Sequence, residues 1–130
     1  MYKYKLEREI RCPLEYGLSI FSGKWKTRIV CLILNSGGTL RYSEIKNAIK
    51  DISDAVLAAM LKDLISDGIV IRTQYNEIPL KVEYALTPKA ETVIPIMHQL
   101  CLWANKYMEF DVIKSPPCTN CIITRNEQLD

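Results

Sequence analysis

Long apolar runs are missing from this 130-residue chain. The longest strongly apolar run, Ile29 to Leu34, is far too short to cross a bilayer. The opening MYKYKLEREIR lacks the apolar centre of a signal peptide, so the expected location is cytoplasmic. A glycine-rich phosphate loop, a nucleophile elbow and a metalloprotease motif are all missing, which removes the enzyme classes those motifs announce. The one histidine, His98, falls on the last helix and is read as a surface or interface residue, and neither a metal nor a cofactor is expected. Five cysteines in such a chain point to reduced thiols, ligands or redox sensors rather than a disulfide framework. Cys118 and Cys121 read first as part of an inert tail, with three minor readings open beside it: a thiol oxidoreductase, zinc shared across a dimer, or a labile disulfide.

What is present suits one domain with a real core, since 48% of the residues are hydrophobic. The net charge of +2 conceals an asymmetry: residues 1–50 carry +6 and residues 51–130 carry −4. A basic front half is compatible with phosphate binding near the N-terminal helices, although solvated surface charge would look the same.

The most informative stretch runs from Ile52 to Leu86. Ile52, Val56, Leu57, Met60, Leu61, Leu64 and Ile65 recur at helical spacing and share one face, with Ala55, Ala59, Lys62 and Ser66 opposite. Ser53 can cap this helix, Asp54 suits the positive end of its dipole, and Gly68 can end it. Ile69 to Tyr75 and Lys81 to Leu86 then read as strands, with NEIP turning the chain between them. A helix feeding a hairpin suggests a winged helix.

Before it, a polar stretch, either an arm or a frayed helix, leads to Cys12-Pro13, where a helix with Leu14, Leu18 and Phe21 on one face begins. Gly23 interrupts, and Lys24 to Leu34 forms a strongly apolar second helix that ends at Asn35-Ser36-Gly37-Gly38, with Cys31 expected in the core. Thr39-Leu40-Arg41 would be a small strand completing the sheet, and Tyr42 to Lys50 a compact helix. Helix, short turn, helix is the arrangement that presents a second helix to the DNA major groove.

After it, Thr87-Pro88 opens a helix running to about Tyr107, striped by Val93, Met97, Leu100, Cys101, Ala104 and Met108, with Pro95 expected to kink it. That stripe packs either on the chain's own core or on a second copy. Residues 1–110 would form the folded domain and 111–130 an irregular tail.

In order, Cys12-Pro13-Leu14-Glu15, Gly23-Lys24-Trp25-Lys26, Leu40-Arg41-Tyr42-Ser43-Glu44-Ile45, Ile52-Ser53, Leu57 with Leu61 and Leu64, Asp67-Gly68, and Pro79 followed by Val82-Glu83-Tyr84-Ala85-Leu86-Thr87 make a specific set. The set resembles the HxlR family of bacterial winged-helix transcriptional regulators, over roughly residues 8–108. The resemblance implies an α+β winged helix-turn-helix with a long C-terminal dimerisation helix, acting as a homodimer on a pseudo-palindromic duplex. Leu14, Met97, Leu100, Cys101, Ala104 and Met108 are the expected interface. Lys24, Lys26, Arg41, Ser43, Arg72 and Lys81 are candidate phosphate partners, each of which could also be an ordinary surface charge.

Within the reading helix the family pattern is departed from: Asp54, Ala55, Ala58 and Ala59 stand where relatives often carry Gln, Lys, Thr or Arg. Alanine offers only a methyl to thymine, and Asp54 could accept from a cytosine amino group. Ser53 and Lys62 remain the polar candidates for readout. The same departure keeps open a winged helix that meets protein and has little specific affinity for DNA.

Cys12 occupies the position of a redox or electrophile sensor in several members of the family. A thiol near a helix N-terminus, preceded by Arg8 and Arg11 and opposed by Glu9 and Glu15, suits a response to an oxidant or small molecule. A bridge between Cys12 and the partner's Cys101 is one further option.

Overall fold

The computed structural model describes residues 9–108, as two units that meet between Thr87 and Pro88. Expectations for the N-terminal arm, Arg8, the tail, Cys118 and Cys121 lie outside the described residues. Among those residues are five helices and a three-stranded antiparallel sheet, an α+β architecture.

The first unit opens with α1 (Pro13–Phe21), where proline occupies the first turn and Glu15 reaches back to accept from the Arg11 backbone N–H at 3.0 Å. This helix buries only Ile20 and leaves Leu14 and Leu18 in solvent. The central helix, α2 (Lys26–Ser36), buries Ile29, Val30 and Ile33 completely or nearly so. It starts later than the apolar pattern suggests and ends later too, where Gly37 takes φ 82° and returns its N–H to Leu34. Cys31 is half-buried rather than a core residue, because it lies off the face that carries Ile29 and Ile33.

A short strand, β1 (Thr39–Leu40), leads into α3 (Tyr42–Ala48), which is shorter than expected because Ile49 already leaves helical geometry. Ile45, Ile49 and Ile52 are buried across the connection to α4 (Asp54–Ser66). Ser53 caps α4 by accepting from the Val56 N–H at 3.2 Å. Leu57, Leu61 and Leu64 form its fully buried stripe, with Val56, Met60 and Ile65 half-buried beside it.

At the far end Gly68, with φ 74°, donates to Ile65 while Ile69 donates to Leu64. This pair of bonds satisfies two carbonyls of the last turn and requires a left-handed residue at Gly68. The chain then enters β2 (Val70–Tyr75), crosses a turn with a cis Ile78-Pro79 bond, and returns as β3 (Lys81–Leu86). The sheet order is β1-β3-β2, with Leu40 opposite Tyr84 and Arg72 opposite Tyr84 on the other side. Val70 is buried, but the rest of β2 and the whole turn are exposed, so the hairpin projects beyond the core as a wing.

The second unit contains α5 (Pro88–Asn105), with Pro95 inside it. Ile96, Leu100 and Trp103 are each more than half exposed along this helix. No helix among the described residues is long and apolar enough to cross a membrane.

Candidate nucleic-acid interface

The outward face of α4 carries Asp54, Ala55, Ala58, Ala59 and Lys62, all exposed. Ala55, Ala59 and Lys62 are exposed because they lie roughly opposite the buried stripe of Leu57, Leu61 and Leu64, with Ala58 at its side and Asp54 in the first turn. A methyl-lined face with a single lysine offers little hydrogen-bonding capacity to base edges. Asp54 is further restricted: the Tyr42 hydroxyl donates to its Oδ1 at 3.0 Å and lies 3.2 Å from its carbonyl oxygen. Burial, and then the hydrogen bond and negative charge of Asp54, raise the Tyr42 phenol above its ordinary value.

Arg41 and Ser43 are exposed at the start of α3, where the Glu44 carboxylate accepts from the Arg41 backbone N–H at 2.8 Å. On the wing, Arg72 is exposed and its guanidinium donates to Gln74 at 3.3 Å. Lys81 is half-buried, 3.7 Å from Glu83 and 5.1 Å from the centre of the Tyr75 ring. Burial pushes the Glu83 carboxyl up. Hydrogen bonds from Thr39 and Tyr75, with the charges of Lys81 and Arg41, outweigh that and hold it below its ordinary value. The charge of Lys81 is therefore partly compensated by its neighbour.

The two lysines of the Gly23-Lys24-Trp25-Lys26 motif have different placements. Lys24 is exposed, with its ammonium 4.5 Å from the Trp25 ring centre, and Arg28 approaches the same ring at 5.4 Å. Lys26 is 3% exposed and its Nζ lies 3.4 Å from Asp63 Oδ2. The expectation of a phosphate contact at Lys26 is corrected accordingly: its ammonium joins α2 to α4 instead of facing solvent. Arg28 is the exposed cation that pattern reading overlooked, although its position one turn past Lys24 in a basic segment was a usable signal.

Cys12 is exposed at the residue before α1. Arg11 is engaged with Glu15, at 2.9 Å. Cys31 and Cys101 are half-buried. Of the expected interface residues, Leu14, Leu100 and Met108 are exposed, while Met97, Cys101 and Ala104 are half-buried. His98 is also half-buried. The described residues contain no group of three or more His, Cys, Asp or Glu placed to hold a metal ion.

A projecting hairpin beside a capped helix whose outer face is open to solvent is the geometry of a winged helix-turn-helix. The model of the HxlR-like helix-turn-helix family matches residues 20–112. The chain belongs to that family. A helix-turn-helix-type transcriptional regulator of Halalkalibacterium halodurans is 41% identical over 105 residues, covering 81% of this chain and 92% of the relative. Among solved structures, the redox regulator HypR in its oxidised form is 34% identical, with a TM-score of 0.66 and coverage of 75% of this chain and 99% of HypR. The reduced form of the transcriptional regulator YodB from Bacillus subtilis is 32% identical, with a TM-score of 0.69 and coverage of 77% and 97%. Fold and relatives together make this member of the HxlR-like family a DNA-binding transcriptional regulator.

Proposed function

We propose that the chain acts in the cytoplasm as a homodimer on a pseudo-palindromic operator, by binding rather than catalysis, and that Cys12 makes it responsive to an oxidant or electrophile. The observation that carries this reading is the solvent-open face of α4, together with Arg41 and Ser43 exposed at the start of α3 and Arg72 and Lys81 on the two strands of the hairpin. Phosphate contacts from Lys24, Arg41, Ser43, Arg72 and Lys81 fix the register, and Ser53 and Lys62 read base edges. The methyls of Ala55, Ala58 and Ala59 limit direct readout, so part of the sequence preference comes from DNA shape.

Support for the dimer comes from Leu14 and Leu18 on α1 and Ile96, Leu100 and Trp103 on α5, all left more than half exposed. Apolar surface of that kind favours association with a second copy. Support for the thiol response comes from the exposure of Cys12 and from the likeness to HypR, which is described as a redox regulator.

Footprinting the protein on DNA upstream of its own coding region tests the reading. A dimer protects two related half-sites whose centres are about one helical turn, or a multiple of it, apart. Protection of a single half-site, or none, contradicts it.

A further inference from the structure

The start of α2 sorts three cations by depth. Lys26 points inward to Asp63 and is 3% exposed, whereas Lys24 and Arg28, on either side of it in the chain, are exposed. Both outer cations lie against one ring. The Lys24 ammonium is 4.5 Å and the Arg28 guanidinium 5.4 Å from the centre of the Trp25 indole, which is half-buried and so held in place. Neither Lys24 nor Arg28 makes an ion pair among the described residues.

Two like charges gathered on one indole repel each other, and the negative face of the ring offsets only part of that cost. A phosphate group offsets the rest, and a guanidinium can donate to two of its oxygens at once. The cluster is also tied to the reading helix. Lys26 joins the start of α2 to Asp63, and Asp63 stands one helical turn beyond Ala59, at the edge of the exposed face of α4. Lys24, Trp25 and Arg28 are thus fixed to the helix that the duplex would meet.

We infer that these three residues form a clamp on the DNA phosphate backbone, in which Arg28 is a further DNA contact and Trp25 a positioning residue that acts through both cations. The clamp rests on the proposed function and adds to it. The Gly23-Lys24-Trp25-Lys26 motif then divides its work: Lys24 and Trp25 serve the duplex, and Lys26 serves the fold.

The test is binding of the full-length protein to a labelled duplex of random sequence across a range of salt. The wild type is compared with Arg28→Ala, Trp25→Leu, Trp25→Phe and the double variant Trp25→Leu/Arg28→Ala, and urea unfolding verifies that each is folded. Arg28→Ala, at an exposed position, is expected to weaken binding about tenfold at low salt and to reduce the salt slope by about one. Trp25→Leu keeps both charges and is expected to weaken binding about threefold, most of which Trp25→Phe recovers by restoring a ring. In the Arg28→Ala background Trp25→Leu should cost less than it does alone, because the ring then positions one cation instead of two.

An unchanged salt slope in Arg28→Ala overturns the phosphate contact. A loss in Trp25→Leu that Trp25→Phe does not recover, or that is undiminished in the Arg28→Ala background, overturns the positioning role. If the wild type binds no duplex at low salt, the proposed function fails and the clamp with it. A wild type that binds with a steep salt dependence, matched by Arg28→Ala, overturns the clamp alone.

Discussion

Lys26 Nζ lies 3.4 Å from Asp63 Oδ2, an ion pair that joins the first turn of the central helix to the reading helix. The lysine side chain is almost wholly removed from water, whereas Asp63 keeps a minor share of exposure. Removing one partner strands the other charge in a poorly solvated site. Lys26→Ala should therefore cost about 3 kcal/mol in urea unfolding. Lys24→Ala, at an exposed position, should leave stability within about 0.5 kcal/mol. The contrast extends to DNA: losing Lys24 should reduce the salt slope of binding by about one, as expected for a phosphate contact. A similar loss of stability in both variants would show that the pair does not anchor α4.

The hydroxyl of Tyr42 on Asp54 makes a pH prediction. Its pKa is raised in the folded protein, so the folded state holds the phenolic proton more tightly than the unfolded chain. The associated stability is complete below the ordinary value of 10.0 and is lost as pH rises from there through the folded value. Tyr42→Phe should remove that part of the alkaline loss, which unfolding measured from pH 8 to 11 would reveal. An unchanged alkaline slope in the variant would contradict the account.

Leu14 and Leu100 are 69% and 57% exposed, so charging either does little to the fold of a single chain. Leu14→Glu and Leu100→Glu should shift sedimentation from dimer to monomer and weaken operator binding by at least about tenfold, through loss of the second half-site. A protein that remains dimeric in both variants would place the interface elsewhere.

For the thiol response, operator binding is measured before and after diamide, which takes two thiols to a disulfide and is itself reduced to the hydrazine. Binding should change in the wild type and stay constant in Cys12→Ala. An undiminished response in that variant would remove Cys12 as the responsive residue.

Much of the fold was legible because two periods are clear. The helical stripe from Ile52 to Ile65 and the strand-rich segments around NEIP located α4 and the wing, and Ser53 and Gly68 marked the helix ends to within a residue. Element ends governed by cap geometry were less legible, as the later start of α2 and the early end of α3 show. The candidate site was harder to read because its defining contacts bridge elements. Nothing in the spacing of Lys26 and Asp63 tells that they meet, and a lysine in a basic segment looks the same whether it faces solvent or a buried carboxylate. Tyr42 was passed over for a similar reason: its partner is twelve residues away, across a turn.

The central claim is that α4 reads sequence while the wing supplies sequence-independent affinity. Binding of an operator duplex and a scrambled duplex, each measured across a range of salt for the wild type, Lys62→Ala and Lys81→Ala, tests it most directly. The account predicts a steep fall of log affinity with log salt for the wild type and a clear preference for the operator. It further predicts that Lys81→Ala weakens both duplexes about equally, whereas Lys62→Ala narrows the preference between them. Equal affinity of the wild type for both duplexes at low salt, or two variants that merely scale affinity alike, would contradict it and favour a winged helix that meets protein instead.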